Sequence, residues 1–180
     1  VFDNHLYKLR RIKHTLGHQV YTSTIDTVTL SETLKTADVV IGALRAEKGR
    51  ARHVVSEEMV SKMKPDSLII DLSIDQGGSV ATSEITTHDK PVFRKHDVIH
   101  YCVPNVASRV AHTATTALSN IFTPTILRAA EEGGVEEMIF SHKWFMKGVY
   151  TYKGNLTNEY VARKFGMKFK NIELLLAVRV

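Results

Sequence analysis

The stretch Leu68–Gly78 reads Leu-Ile-Ile-Asp-Leu-Ser-Ile-Asp-Gln-Gly-Gly, and it indicates the fold of the chain more directly than any other. Aliphatic residues dominate its first seven positions, as is typical of a strand covered on both faces in a parallel sheet. The pattern stops at Asp75, and Gly77 and Gly78 follow. In open α/β sheets, ligands bind beyond the carboxyl ends of the strands, and glycine lets the backbone approach a ligand closely. We therefore expect the chemistry of the protein at this turn.

Helix and strand patterns alternate along the residues that precede this stretch. The predicted strands are residues 1–3, 20–24 and 37–43, the last of them buried. The predicted helices begin at Asn4, at Thr29 or Ser31, and at Ser56. Alternation with short connections indicates parallel βαβ units, so the sequence predicts the α/β class with a doubly wound parallel sheet.

The residues after Gly78 predict a different organisation. They contain a strand at Val98–Val103, then a long helix from Val106 to about Glu132 that Pro124 is expected to kink. Short helices are expected at 135–140, 159–165 and 172–177. Because this last part has little apolar content, we expect it to pack on a domain that the chain does not supply. The predicted domains are therefore 1–104 and 105–180.

Composition excludes several classes of protein. At 180 residues and 43% apolar, the chain can bury a core, and no apolar run approaches the length of about 18 residues that a membrane helix needs, so we expect a soluble protein. Cys102 is the single cysteine, which fits a reducing cytoplasm. The net charge of +5 is spread along the chain without interleaved aromatic residues, which argues against nucleic-acid binding. The first residue is Val1 in a strand-like segment, so we expect a piece of a longer protein.

Two acids are candidate site residues, and each has two interpretations. Asp3 ends a predicted strand before a helix, where dinucleotide-binding folds use an acid to hold the adenosine ribose, but it is equally consistent with an ordinary helix cap. The glycine-rich fingerprint Gly-x-Gly-x-x-Gly is absent from the sequence. Asp75 can serve as an acid or base, or as a hydrogen-bond acceptor beside a nicotinamide, or it is a turn residue before two glycines.

Other polar residues carry weaker signals. His100 and Cys102 share a strand face, but no further cysteine or paired histidine supports a metal site, so we expect core packing and no metal. A basic segment follows the strand at 37–43, where phosphate contact and solvent exposure are both open; its members are Arg45, Lys48, Arg50 and Arg52.

Three segments together resemble one enzyme family. Ile74–Gly78, Thr86–Asp89 and His100–Asn105 closely resemble the C-terminal half of alanine dehydrogenases, and the similarity covers essentially all 180 residues. The opening Val1–Asp3 with Lys8–Arg10 resembles the ribose-binding segment of the same family. The related proton-translocating transhydrogenase domain typically has Asn-Gly-Gly at the turn that here reads Asp-Gln-Gly-Gly.

The resemblance implies a fold, a cofactor and a reaction. The fold is an incomplete Rossmann domain followed by a long helix and a helical C-terminal segment of a substrate domain. The reaction is the reversible, NAD-dependent oxidative deamination of L-alanine to pyruvate and ammonia, in a cytoplasmic homo-oligomer that is often a hexamer. The family's glycine loop, its substrate-binding Arg and Lys and its catalytic His lie in an N-terminal region absent here. We therefore expect the isolated chain to be inactive.

The resemblance also assigns residues. Asp75 matches the catalytic aspartate, Asp3 the acid on the adenosine ribose, and Lys8 a basic residue near it. The other matched cofactor positions are Thr24 near the adenine; Leu44 and Arg45; Leu72, Ser73, Ile74 and again Asp75 under the nicotinamide ribose; and Val103, Pro104, Asn105 and Val106 on the nicotinamide side. Many members of the family have, at the position of Glu84, an Arg that is thought to contact the cofactor. We therefore do not assign a cofactor contact to Glu84.

Two other interpretations stay open at this point. The chain can be a catalytically inert fragment that binds a nucleotide or a partner. It can also be a transhydrogenase-type NAD(H)-binding module, which would show no activity with alanine.

Overall fold

The structure is a computed structural model that describes residues 1–45 and 53–177. The chain forms two compact units, Val1–Val106 and Ala107–Val180. The predicted basic positions Lys48, Arg50 and Arg52 lie outside the described residues. The assignment of 1–104 and 105–180 to a cofactor domain and a substrate domain stays a prediction.

The first unit contains a four-stranded sheet in the order β1-β2-β4-β3. Its strands are β1 (Val39–Gly42), β2 (Leu68–Asp71), β3 (Val92–Lys95) and β4 (Val98–Tyr101). β1, β2 and β4 are parallel, which confirms the predicted α/β class. β3 pairs antiparallel with β4 through a tight turn at His96 and Asp97, both with positive φ, so the sheet is mixed rather than wholly parallel.

β2 ends earlier than its aliphatic pattern predicts. The strand stops at Asp71, and Ile74–Gln76 forms a 3₁₀ helix. Within the strand Ile69 is fully buried, whereas Leu68 is only half-buried, so the expectation of two fully covered faces is wrong. The reason is that the buried carboxylate of Asp71 draws hydrogen bonds from the residues that follow, which turns the chain back across the strand end.

Among the described residues, the first unit has the α-helices α1 (Leu6–Thr15), α2 (Thr27–Thr36) and α3 (Glu57–Ser61). Ser56 caps α3 as predicted, since its hydroxyl accepts from the Met59 N–H at 3.2 Å. The predicted starts of the other two helices are wrong. The N-cap of α1 is His5 rather than Asn4. α2 begins after Asp26, whose carboxylate accepts from both the backbone and the hydroxyl of Thr29 and so extends the helix toward its N-terminus.

The side of the sheet next to β1 departs from the prediction. In place of strands at 1–3 and 20–24, the structure has a single parallel bridge between Phe2 and Ser23. β1 is not the buried strand expected at 37–43, because Val39 is 53% exposed and Ile41 is 61% exposed. Among the described residues, β1 pairs only with β2. No strand of the described residues pairs with its other edge, which we call the open edge of β1.

The core of the first unit lies between the sheet and the helices α2 and α3. Its buried members come from both helices, from β2 and β4 and from nearby loops: Leu30, Leu34, Val55, Met59, Val60, Met63, Ile69, Val80 and Val98. The helices therefore supply one apolar layer that holds the parallel strands in place.

The second unit is mostly helical. A 3₁₀ helix at Val106–Val110 precedes the long helix, which starts later than predicted. The elements are α4 (Ala111–Glu131), α5 (Val135–Ser141), α6 (Lys143–Met146), β5 (Thr151–Tyr152), β6 (Asn155–Leu156), α7 (Glu159–Phe165) and α8 (Ile172–Ala177). A small buried cluster contains Ile139, Tyr152 and Leu176. None of the described helices is both long enough and apolar enough to cross a membrane.

His100 is a fully buried histidine in β4. Its Nδ1 lies 3.0 Å from the Val98 carbonyl, so Nδ1 carries the proton, and in the neutral ring Nε2 accepts from the Thr82 hydroxyl at 2.8 Å. The ring stacks on Phe93 with centroids 4.8 Å apart. Burial lowers the pKa of His100, and the hydrogen bond to Val98 only partly opposes that effect. The predicted core role of this residue agrees with these contacts.

We expect the stability of the first unit to fall as the pH drops below about 6.5. The pKa of His100 is lower in the folded chain than its value of 6.5 in an unfolded one, so the unfolded state binds the proton more readily. The contribution of the neutral His100 ring to the free energy of unfolding is complete above about pH 6.5. Below that pH it is lost, and the free energy of unfolding falls by no more than about 1.4 kcal/mol per pH unit. Urea unfolding at about pH 7.5 and about pH 5.5 measures it.

His100→Gln should remove this pH dependence, whereas His18→Gln, at an exposed loop position, should keep it. An equal pH dependence in the wild type and His100→Gln would contradict the assignment.

Candidate functional site

Three parallel strands bring the predicted cofactor segments to one edge of the sheet. Gly42 of β1 lies opposite Asp71 of β2, and Ile70 of β2 lies opposite Tyr101 of β4. The carboxyl ends of neighbouring parallel strands therefore meet. The segments that follow them are the ones that the resemblance picked out: Leu44 and Arg45, Leu72 to Asp75, and Val103 to Val106.

Asp75 lies in a tight turn at this edge. The turn is the 3₁₀ helix Ile74–Gln76, closed by the Gly77 N–H donating to the Ile74 carbonyl at 3.0 Å. Gly77 and Gly78 have φ values of 103° and 78°, which an L side chain rarely adopts, so the two glycines are needed here. Asp75 itself is exposed, so its carboxylate can reach a molecule bound beyond the sheet.

A second carboxylate, which sequence reasoning missed, lies beneath this turn. Asp71 is only 1% exposed. Oδ1 accepts from the Ser73 N–H and from the Ser79 hydroxyl, each at 3.1 Å. Oδ2 accepts from the Ser79 N–H at 2.8 Å, the Val80 N–H at 3.2 Å and the Ser83 hydroxyl at 2.8 Å. The sequence does contain a signal for this arrangement, because Asp71 is an acid within an otherwise aliphatic strand pattern. A carboxylate buried in such a strand requires hydrogen-bond partners.

Gly42 of the neighbouring strand makes room for this arrangement. A Cβ at Gly42 would overlap the Ser79 hydroxyl oxygen and would lie 3.2 Å from Asp71 Oδ1. The glycine therefore allows Ser79 to reach the carboxylate of Asp71 across the end of β1.

Ser73 has an unusual hydroxyl. The residue is 3% exposed, and its Oγ has no hydrogen-bond partner within the described part of the chain. A buried hydroxyl without a partner loses the hydrogen bonds that water would give it. Because Ser73 belongs to the segment next to Asp75, this is a place where a bound polar group would complete the structure.

Asp3 lies at the bridge between Phe2 and Ser23. Its carboxylate accepts from the His5 N–H at 2.7 Å and lies 3.0 Å from His5 Nδ1 and 3.5 Å from Lys8 Nζ. Burial raises the pKa of Asp3, but the hydrogen bonds from His5 and the charge of Lys8 outweigh it, so the pKa is lowered. The group is a stable anion at neutral pH. It is partly accessible, since a quarter of the side chain is exposed (25%).

One cavity of about 520 Å³ connects Asp3 with the sheet edge. Asp3 and Leu44 both line this cavity, so the structure brings these two predicted residues together. Asp75 is not among the lining residues, and Lys8 lies instead in a neighbouring cavity with Asp3. Thr24 is exposed beside the Phe2–Ser23 bridge.

The structure gives His100 and Cys102 core positions. Cys102 is fully buried, and burial raises the pKa of its thiol. Among residues 1–45 and 53–177, no group of three or more His, Cys, Asp or Glu side chains could hold a metal ion.

Comparison with known proteins gives one family. The family described as "Alanine dehydrogenase/PNT, C-terminal domain" matches residues 1–159. An alanine dehydrogenase of Bacillus subtilis is 38% identical over 170 residues, which is 94% of this chain and 45% of that protein. An alanine dehydrogenase of Mycolicibacterium smegmatis is 37% identical over 177 residues, 98% of this chain and 47% of that protein. The chain spans about half the length of the curated relatives it matches.

Solved structures give the same picture of the fold. An L-alanine dehydrogenase superposes with a TM-score of 0.80 at 29% identity, covering 92% of this chain and 45% of that one. A transhydrogenase from Sinorhizobium meliloti superposes with a TM-score of 0.64 at 21% identity, covering 88% of this chain and 41% of that one. At that identity the second likeness concerns the fold alone.

We expect Gly42→Ala to lower the free energy of unfolding by about 1 to 3 kcal/mol, because the new methyl group overlaps the Ser79 hydroxyl. Ser79→Ala removes the obstructing oxygen, so the double variant should be more stable than the sum of the two single losses predicts. Urea unfolding of the wild type and the three variants measures this coupling.

Gly148→Ala is the control, since its added Cβ would meet only the Phe145 carbonyl at 3.4 Å, an ordinary contact. Strictly additive losses at Gly42 and Ser79 would contradict the proposed fit.

Proposed function

The chain belongs to the alanine dehydrogenase/PNT C-terminal domain family, and from that premise we propose that it is the C-terminal half of an NAD-dependent alanine dehydrogenase. The observation that carries the proposal is the exposed Asp75, held in a glycine-closed turn at the carboxyl end of a parallel strand. Relatives named alanine dehydrogenase match the chain at 37% and 38% identity, but it covers less than half of their length. The proposed activity is therefore that of a longer protein.

The described residues fit NAD at two points. Asp3 offers an ionised carboxylate at the wall of a cavity of about 520 Å³, which suits the two hydroxyl groups of the adenosine ribose. The hydroxyl of Ser73 is buried and lacks a partner among the described residues, which suits a polar group on the nicotinamide side. The other residues proposed to hold NAD are Lys8, Thr24, Leu44, Arg45, Leu72, Ile74, Asp75, Val103, Pro104, Asn105 and Val106.

The open edge of β1 supports the proposal that residues 1–104 are part of a Rossmann domain. That fold has the strand order 3-2-1-4-5-6. Ser23 and Phe2 take the places of strands 3 and 2, and β1, β2 and β4 take those of strands 4, 5 and 6. The cavity between Phe2 and β1, which no described strand fills, occupies the place of strand 1. We propose that strand 1 and its glycine loop come from an upstream segment of the longer protein.

The reaction proposed is L-alanine + NAD⁺ + H₂O → pyruvate + NH₄⁺ + NADH + H⁺. NAD, when bound, would supply the acceptor for the hydride of the alanine Cα. The resulting imino acid is attacked by water, and this addition requires proton transfer. We propose that Asp75 takes the proton of that water; its exposure at the edge where the cofactor segments converge supports this role. Substrate-binding groups and a second proton-transfer group would come from the remainder of the longer protein.

Assembly and location are proposed from the family resemblance. We propose a cytoplasmic homo-oligomer, a hexamer in solution. Light scattering of the longer protein measures the assembly. The alternative function is a transhydrogenase-type NAD(H) module, which the likeness to the Sinorhizobium meliloti protein supports only at the level of fold. NADH formation with L-alanine separates the two functions.

In the longer protein that contains this chain, we expect NADH formation from L-alanine and NAD. Asp75→Asn should lower kcat more than about 100-fold, because the amide cannot accept the proton of the attacking water. Absorbance of NADH measures the rate. Asp38→Asn is the matched control: it removes a carboxylate just before β1, at the end of the strand opposite the site, and should leave kcat unchanged. Full activity of Asp75→Asn would contradict the assigned role.

We expect Asp3→Asn to weaken NAD binding by about tenfold, because the ribose hydroxyl groups lose an ionised acceptor. The effect should appear in the Kd for NAD and in the KM for NAD, with a smaller change in kcat at saturation. Calorimetric titration of NAD into the longer protein measures the Kd, and Asp38→Asn again serves as the control. An unchanged Kd would mean that Asp3 only caps the segment before α1.

A further inference from the structure

Asp71 has no place in the proton transfers described above. It is 1% exposed, and both of its carboxylate oxygens already accept hydrogen bonds from the protein, so neither oxygen is left for a substrate or a cofactor. Among the described residues it forms no ion pair, and its charge is compensated by hydrogen bonds from the surrounding backbone and hydroxyl groups. A buried carboxylate is costly unless hydrogen bonds or a paired charge compensate it. The positions of the donors show which part of the chain these hydrogen bonds hold.

The donors lie on both sides of the turn that carries Asp75. Ser73, on the N-terminal side, donates its N–H to Oδ1. Ser79 and Val80, on the C-terminal side, donate their N–H groups to Oδ2. One carboxylate thus closes the segment between Ser73 and Ser79 into a loop. Hydrogen bonds to an ionised acceptor are stronger than those between neutral groups, so the loop is held firmly.

The packing around Asp71 leaves the loop little freedom. A Cβ at Gly78 would lie 3.0 Å from Asp71 Oδ2, and a Cβ at Gly42 would overlap Ser79. The Ser83 hydroxyl donates to the same Oδ2 at 2.8 Å. The carboxylate is therefore enclosed on several sides, and a shift of Asp71 would move the turn.

We propose that Asp71 is a positioning residue that fixes the Asp75 carboxylate for proton transfer. This inference rests on the proposed function of Asp75. Asp71 acts through the loop it closes: the Ser73 N–H anchors the start of the 3₁₀ helix Ile74–Gln76, and the Ser79 N–H anchors the chain after it. The loop places Asp75 at the same point in every catalytic cycle, so the carboxylate does not have to be ordered by the substrate.

Asp71→Asn is the most informative variant, because it preserves the volume of the side chain. One oxygen becomes an amide NH₂, which cannot accept a hydrogen bond. If the remaining oxygen keeps the three donors at the Oδ2 position, the NH₂ faces the Ser73 N–H, and that anchor is lost. The Ser79 hydroxyl can rotate and accept instead. The variant therefore loosens the N-terminal side of the turn.

A double-mutant cycle in the longer protein tests the inference. The variants are Asp71→Asn, Asp75→Asn and the double variant, and the readouts are kcat for NADH formation and Tm. We expect Asp71→Asn to lower kcat about 10- to 100-fold. In the Asp75→Asn background the same change should lower kcat by less than about twofold, because the group that Asp71 positions is already gone. Losses that multiply would overturn the inference, as would wild-type kcat in Asp71→Asn.

If Asp71→Asn does not fold, Ser83→Ala provides a second test of the role of Asp71. It removes one hydrogen bond to Oδ2 and leaves the carboxylate and all backbone donors in place. We expect a loss in kcat of about 2- to 5-fold that disappears in the Asp75→Asn background. Unchanged kcat in Ser83→Ala, or the same loss in both backgrounds, would overturn the inference.

Ser67→Ala is the matched control, since Ser67 is a buried serine that precedes β2 and donates to the Lys64 carbonyl. It should lower Tm without changing kcat. If the wild-type protein forms no NADH from alanine, the proposed function fails and this role fails with it. An active wild type with multiplicative losses overturns the role of Asp71 alone.

Discussion

The buried carboxylate of Asp71 is the constraint on which the site depends. An ionised group without contact to water must be surrounded by donors, and here the donors are backbone N–H groups and hydroxyl groups from residues 73 to 83. Meeting that requirement ends β2 at Asp71 and folds the next residues back over the strand. The exposed Asp75 belongs to the loop that this requirement closes.

The two ends of the candidate site are built by different interactions. Asp3 is an anion stabilised by the N–H of His5 and the charge of Lys8. Asp75 depends on a turn whose geometry comes from the buried core beneath it. At the first end, the contacts of the Asp3 carboxylate come from residues close to it in sequence. The second end depends on contacts across the sheet, between Gly42 of β1 and Ser79.

The open edge of β1 is the other feature that shapes this unit. Val39 and Ile41 are apolar and exposed, whereas strands of parallel sheets are normally covered. Phe2 and the residues of β1 line the same cavity, so both segments face the same space. Such an edge is suited to one more parallel strand, since the backbone groups of an edge strand readily pair with another chain segment.

The sequence by itself determined the class of the fold, the serine cap of α3, the glycine-closed turn after β2 and the long helix of the second unit. These features follow from hydrophobic period, from the cap preference of serine and from the conformations that only glycine adopts readily, all of which act between near neighbours. The resemblance added the family, but the roles of Asp3 and Asp75 are still proposals. Only the tertiary structure decided where β2 ends, that β1 is exposed and that Asp71 closes the loop. Those outcomes depend on contacts between residues distant in sequence, such as Asp71 with Ser83 and Gly42 with Ser79. A local sequence pattern does not predict which distant residues will be in contact.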